Sequence, residues 1–299
     1  MSVQQRRGDA TADDGPASRA LASARFIEHI VDFYERAAPT YNEWAGGVNV
    51  RAARTLVELV APRAGESSLD IGCGTGLVTH LLSARSGASG YTFGIDVSSR
   101  MLDVAQRTRG EESSGVFAVM PAERLVVRSE SFDVVTFGQS LPYLIDPHAA
   151  LLEAHRVLRP GGRVAVACQR RLLCTPAENV FFTQLAHFAA RYPFEVPRPP
   201  PDRAWYGEPQ VLSDLLGAAG FVDVRVSQSL TGNHTADAHG WIELMMFAGP
   251  YPHALISHLG PEPRAAFERR FDDAMRQLSA DEAFRYHRPF SFAVAQRRD

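Results

Sequence analysis

Lysine is missing altogether: all 31 basic residues of this 299-residue chain are arginine. Its absence excludes lysine nucleophiles and Schiff bases, and with them a Walker A phosphate loop, which needs the lysine of GK[ST]. Cysteine is scarce. Cys73, Cys168 and Cys174 are odd in number and show no CxxC spacing, so no disulfide framework is expected and a reducing, cytoplasmic setting is. No apolar run approaches the length of a membrane span, and residues 1–20 lack the apolar segment of a signal peptide. Neither sign of charge is in excess. A formal net charge of -3 disfavours a nucleic-acid partner. The ten histidines form no HExxH or other ligand spacing, so no metal is expected. What remains is an ordinary globular composition, 45% hydrophobic and 22% charged. Its bias toward Arg, Ala, Gly and Pro is that of a GC-rich bacterial genome.

Residues 1–20 have no periodicity and read as a disordered tail. Residues 21–62 read as an N-terminal helical cap. Phe26, Ile30, Phe33 and Tyr34 share one helix face, a stretch broken by Pro39 follows, and VRAARTLVELV is a second amphipathic helix. From Ser68 the rhythm changes. SSLDI, YTFGIDV, VFAVM, FDVVTFG and GRVAVACQ read as buried strands, alternating with helices at GLVTHLLSA, SRMLDVAQRT and HAALLEAHRVL. That alternation predicts an α/β fold, a parallel sheet with helices on both faces. Two segments, about 170–206 and 231–288, interrupt the pattern. Between them stand a helix, PQVLSDLLGAAGF, and a strand, VDVRVSQS; PFSFAVAQR supplies a last strand.

The turn LDIGCGTG places Gly72, Gly74 and Gly76 between the first strand and the first helix of this region. A dinucleotide fingerprint would be GxGxxG, but Leu77 stands where its third glycine belongs. Asp96, in GIDVSS, follows Gly76 by about 20 residues, the spacing at which a carboxylate accepts hydrogen bonds from ribose hydroxyls. The ligand expected here therefore has a ribose and need not carry phosphates.

LDIGCGTG, GIDVSSRMLDVA, PAERL and FDVVTFGQSLPYLIDPHAALLEAHRVLRPGGRVAVA, taken in order, resemble successive motifs of class I S-adenosylmethionine-dependent methyltransferases. The branch they are most similar to contains quinone-biosynthesis C-methyltransferases and natural-product tailoring enzymes. The resemblance implies a Rossmann-like, doubly wound seven-stranded sheet, mostly parallel with the last strand antiparallel. It also implies a methyltransferase core over residues 63–299, the two insertions forming a helical lid, and S-adenosyl-L-methionine as cofactor. Asp70, Gly72, Gly74 and Gly76 would line the methionine end, and Asp96 would hold the ribose. Met101 and Ala122 would meet the adenine, while Phe137 and Gln139 would border the methionine and the methyl group. Tyr34 and Tyr41 match positions that close over the cofactor, or else pack lid against core.

One departure stands out. The acid that relatives carry before Ala-Glu is Pro121 here, and Glu123 is not assumed to replace it. For acid–base work Tyr143 matches a position where relatives often carry His, and His239 is a second catalytic candidate; His234 lies nearby, His148 reads as a solvated or capping residue, and His155 as structural. Arg170 and Arg171 follow the fifth strand at the mouth, where an anion clamp or simple solvation would explain them. Lid aromatics Phe181, Phe182, Trp205, Tyr206, Trp241, Phe247 and Tyr251 suit an apolar or aromatic small-molecule acceptor, or else the lid's own core or a homodimer interface. The expected activity is methyl transfer to a small natural product, at oxygen ahead of carbon or nitrogen. Two other readings stay open: a scaffold that holds the cofactor while steering a cyclisation or rearrangement, and a non-catalytic partner subunit.

Overall fold

Short apolar runs bounded by glycine and proline become strands, and 3.6-periodic stretches become the helices between them. The structure is a computed structural model. It describes residues 16–110, 115–170, 175–193, 205–234, 237–246, 250–279, 281–283 and 285–298. In chain order come α1 (Pro16–Ala37), a 3-10 turn (Tyr41–Gly46), α2 (Val48–Val60), β1 (Ser67–Ile71), α3 (Leu77–Ser86), β2 (Tyr91–Asp96), α4 (Ser99–Arg107) and β3 (Gly115–Val119). Then follow β4 (Phe132–Gly138), α5 (Pro147–Val157), β5 (Leu158–Gln169), α6 (Pro176–Arg191), α7 (Pro209–Ala218) and β6 (Phe221–His234). The chain closes with α8 (Ala238–Met246), α9 (Pro250–His258), α10 (Pro261–Met275) and β7 (Arg285–Arg297).

The seven strands form one sheet in the order β3-β2-β1-β4-β5-β7-β6. The first five pair in parallel, and β7 runs antiparallel between β5 and β6. Strand order reverses between β1 and β4, so their carboxyl ends diverge around a crevice, the usual place for a ligand in such sheets.

Alternation along each buried strand divides the core into two layers. Val134, Ala165, Ala167, Phe290 and Phe292 face α2 and α3. Leu69, Val135, Phe137, Val164 and Val166 face the opposite way, with Leu151 of α5 and Leu212 of α7. A third core belongs to α6, α8, α9 and α10, where Phe181, Trp241, Phe267 and Phe271 are all fully buried. Phe181 has its ring centroid 5.3 Å from Trp241 and 5.7 Å from Phe267. Among the described residues no helix is long and apolar enough to cross a membrane.

Two expected boundaries need correction. The tail does not reach residue 20, because α1 begins at Pro16. Proline is pre-organised for the first helical position, and the alanines after it carry the helix; residues 1–15 lie outside those described. The second insertion is shorter than 231–288, since β6 and β7 continue pairing through Thr231↔Arg288 to His234↔Arg285. An antiparallel pair satisfies the backbone groups between its own strands, so it runs on past the edge of its neighbour β5. The proline-rich stretch 194–204 lies outside the described residues.

Candidate functional site

The glycine turn lies at the carboxyl end of β1, beside the crevice. Gly72, Gly74 and Gly76 have φ of 66°, 54° and 81°, a left-handed region that L residues other than glycine enter at a cost. Gly72 is also sterically required. A Cβ there would come 2.3 Å from the Cβ of Ser140, whose hydroxyl donates to the Ile71 carbonyl at 2.6 Å. Gly76 has a different job from the one expected. Its missing Cβ makes room for His80 and Ala105, so it seats α3 and does not border the cleft.

Asp70 is 1% exposed, with Thr79 and Thr136 donating to its two oxygens at 2.7 and 2.8 Å. Burial outweighs those hydrogen bonds and pushes its carboxyl up to about 6. An acid raised in the folded state keeps its proton where the unfolded chain has lost it, so stability falls as pH rises from roughly 4 to 6. Asp70→Asn is expected to flatten that segment of the curve, by up to about 3 kcal/mol, in urea unfolding between pH 4 and 7. Equal slopes for the two proteins would refute this account.

Asp96 ends β2. Its oxygens accept from Gly74 N at 2.8 Å and Ser98 N at 2.9 Å, which ties the glycine turn to the next strand. Each oxygen keeps a further lone pair for a ligand. Burial raises its carboxyl while the Ser98 and Gly74 N–H groups hold it down. Ser98 also caps α4 by accepting from Met101 N at 3.2 Å.

Around these residues opens a cleft of about 730 Å³. Gly72, Gly74, Asp96, Met101 and Ala122 form its floor, Ile27, Ile30, Val31 and Tyr34 of α1 one wall, and Gln139 and Tyr143 the far end. A second hollow of about 440 Å³, bordered by Asn49, Asp70, Cys73 and Thr75, shares Tyr41, Gly72, Gly74 and Gln139 with the first. Tyr34 packs edge-on against Tyr41 and Tyr143 at centroid distances of 5.9 and 5.6 Å. Burial first, then Tyr143, pushes the Tyr34 and Tyr41 phenols upward, so both stay protonated at neutral pH. Gln139 holds the left-handed φ of 69° while its N–H donates to Ala167 O at 3.0 Å and its amide to Asn49 at 3.3 Å. Strain of this kind is found where a side chain must be aimed.

Most of the sequence candidates converge on this crevice: Tyr34, Tyr41, Asp70, Gly72, Gly74, Asp96, Met101, Ala122, Gln139 and Tyr143. Phe137 does not. It is fully buried in the core layer beneath, because alternation along β4 turns it toward α5. His239 does not either; it is exposed on α8 and absent from both hollows. Glu123 accepts from Ile145 N and Asp146 N at 2.8 and 3.2 Å, bracing the start of α5 in place of any adenine contact. Arg170 is paired with Glu208 at 3.2 Å and Gln228 at 2.5 Å. His148 is exposed, and His155 stacks edge-on against Phe221 at 5.1 Å. Phe181 and Trp241 belong to the core of α6, α8, α9 and α10 and Tyr206 to the sheet core, whereas Phe182, Trp205 and Tyr251 are exposed. Arg171, Phe247 and the His234 side chain lie outside the described residues. Among those described, no group of three or more His, Cys, Asp or Glu could hold a metal.

Sequence reasoning missed the polar residues that brace the turn. Thr75 donates to Asn42 at 2.5 Å, linking the 3-10 turn to the glycine turn, and Asn49 holds Gln139. Neither asparagine carries a motif signal, since its partner is distant in sequence.

Residues 69–166 match the family described as Methyltransferase domain. A 2-phytyl-1,4-naphtoquinone methyltransferase from Nostoc punctiforme is 31% identical over 46% of this chain and 63% of its own length. A nocamycin O-methyltransferase from Saccharothrix syringae is 29% identical over 58% of this chain and 65% of its own. The chain thus spans under two thirds of the length of these curated relatives. Among solved structures, phosphoethanolamine N-methyltransferase 2 of Haemonchus contortus superposes with a TM-score of 0.54 at 15% identity, over 92% of this chain and 60% of that one. Residues 69–166 thus match a methyltransferase domain, and they lie on a seven-stranded Rossmann-like sheet of the fold seen in the superposed structure.

Proposed function

We propose that this chain transfers a methyl group from S-adenosyl-L-methionine to a small natural-product acceptor, at oxygen ahead of carbon or nitrogen. One observation carries the reading: the cleft sets the Asp96 carboxylate, already oriented by two N–H groups, beside a glycine turn open to close approach. Asp96 would accept from the ribose hydroxyls, and Met101 with Ala122 would flank the adenine. Gly72, Gly74 and Asp70 would border the amino-acid end, with Gln139 beside it. Tyr34 and Tyr41 would close over the cofactor and exclude water, and Tyr143 would orient the acceptor. When bound, the cofactor supplies a methyl group on a sulfonium, open to in-line displacement by a nucleophile.

The choice of oxygen rests on what borders the cleft. No histidine stands among its described lining residues, while Asp70 and Asp96 are engaged by protein donors. A carbon acid needs a general base, whereas an oxygen that arrives ionised does not. The helices α6, α8, α9 and α10 read as the lid over the acceptor side.

The test is incubation with methyl-labelled S-adenosylmethionine and a metabolite extract of a source bacterium, following both label and S-adenosylhomocysteine. Label is expected in a small molecule of the extract, matched by the homocysteine product. Firm cofactor binding with no label transferred would sink the proposal.

A further inference from the structure

One end of the cleft is apolar. From Asp96 the chain runs through Val97 and Ser98 into α4, and these residues border the cleft together with Met101. On the neighbouring strand Met120 N donates to Asp96 O at 3.1 Å, continuing the pairing of Asp96 with Val119. The segment after β3 is thereby held beside Asp96, and its Met120 and Ala122 line the cleft. Glu123 accepts from Ile145 N at 2.8 Å, which brings up Leu144, another lining residue. Val97, Met101, Met120, Ala122 and Leu144 thus gather at this end, and all are apolar. Val97 is 50% exposed, leaving apolar surface open to a flat ligand face.

The polar groups near this end are spoken for. Asp96 is the sole carboxylate among the described lining residues, and its oxygens accept from Gly74 N and Ser98 N. Glu123 follows a lining residue, but it is turned to Ile145 N and Asp146 N. The Ser98 hydroxyl caps α4 by accepting from Met101 N. Pro121, between Met120 and Ala122, is exposed, and proline brings neither an N–H nor a side-chain acceptor.

We propose that this end reads the cofactor's nucleobase by shape and apolar contact alone, so that the chain accepts purines altered at position 6. The inference rests on the methyltransferase reading, in which Asp96 takes the ribose, and it defines the class of cofactor the site admits. Adenine is marked by its 6-amino group, a hydrogen-bond donor. Reading that group needs an acceptor aimed at it, which an analogue without the amino group would leave unpaired. Sites built in that way reject such analogues strongly, whereas apolar sites reject them weakly. Methionine and aliphatic side chains pack on the flat face of the ring, which is alike in all purines.

The test titrates the full chain by calorimetry with S-adenosylhomocysteine and with its 6-deamino analogue, in which hydrogen replaces the amino group. The wild type is expected to bind the two within about threefold of each other. Ala122→Leu, which fills the slot, should weaken both by about tenfold or more. Met101→Ala, which removes apolar surface without adding bulk, should weaken both by about threefold or more. This second variant decides the matter if Ala122→Leu does not fold. A larger difference between the ligands in the wild type overturns the proposal. So do unchanged affinities in the variants, which would place the base elsewhere, or a loss confined to S-adenosylhomocysteine, which would mean that the amino group is read here. Failure of the wild type to bind either ligand is a different result: it rejects the methyltransferase reading itself.

Discussion

Gly72→Ala is expected to lower stability by about 3 kcal/mol and to weaken S-adenosylhomocysteine binding at least tenfold. Two effects add. Alanine must adopt the left-handed φ of 66°, and its methyl would begin 2.3 Å from the Cβ of Ser140, far inside ordinary contact distance. Ser140 has little freedom to retreat, because it is buried and its hydroxyl holds the Ile71 carbonyl. The backbone must therefore move, and with it the end of β1 and the floor of the cleft. Gly74→Ala is the control. Its φ of 54° is also left-handed, but nothing lies within 4 Å of the added methyl. Stability should fall by only about 1 kcal/mol, while the methyl enters the cleft and ligand affinity suffers more than stability. Urea unfolding and calorimetric titration on both variants separate the cases. A wild-type unfolding midpoint for Gly72→Ala would show that Ser140 yields easily and that the steric account fails.

The second large effect belongs to Asp96. Asp96→Ala removes the acceptor of Gly74 N and Ser98 N, leaving two N–H groups to find water or lose about 1 kcal/mol or more each. It also removes both hydrogen bonds proposed to the ribose. Bonds to a charged group contribute roughly 1.5–3 kcal/mol apiece, so cofactor affinity should fall by more than about a hundredfold. A ligand pair tests whether the ribose is the partner. The wild type should bind 5′-deoxy-5′-methylthioadenosine much more tightly than its 2′,3′-dideoxy analogue, and Asp96→Ala should bind the two alike. If the variant still discriminates, the ribose is recognised elsewhere and Asp96 serves only to fasten the glycine turn.

Much of the fold is legible in the sequence. Strands at SSLDI, YTFGIDV and FDVVTFG are declared by short apolar runs between glycines, and their alternation with amphipathic helices leaves few topologies besides a parallel sheet. Gly72, Gly74 and Asp96 could be placed because their spacing follows from one strand–turn–helix unit and the strand after it. Local periodicity also located the inward face of α1, from which Ile30 and Tyr34 reach the cleft. These are short-range consequences of side-chain pattern.

The residues that fall outside the crevice do so for a shared reason. Phe137 lies within β4 and Gln139 just past its end, only two residues on, yet one is core and the other cleft. The pleat points Phe137 down, and the left-handed backbone at Gln139 turns the chain out of it. Gly76 looks like its neighbours in the motif but answers to His80 and Ala105. Phe181 and Trp241 have a pattern that suits acceptor contacts, but α6, α8, α9 and α10 bury them in a core of their own. The order of elements, the parallel sheet and the turn-and-acid pair that borders the cleft are all written in local spacing. Which aromatics are core and which asparagines brace the turn is settled by packing between elements. Asn42 meets Thr75 and Asn49 meets Gln139 across long stretches of chain, and no periodicity within one segment can report such a meeting.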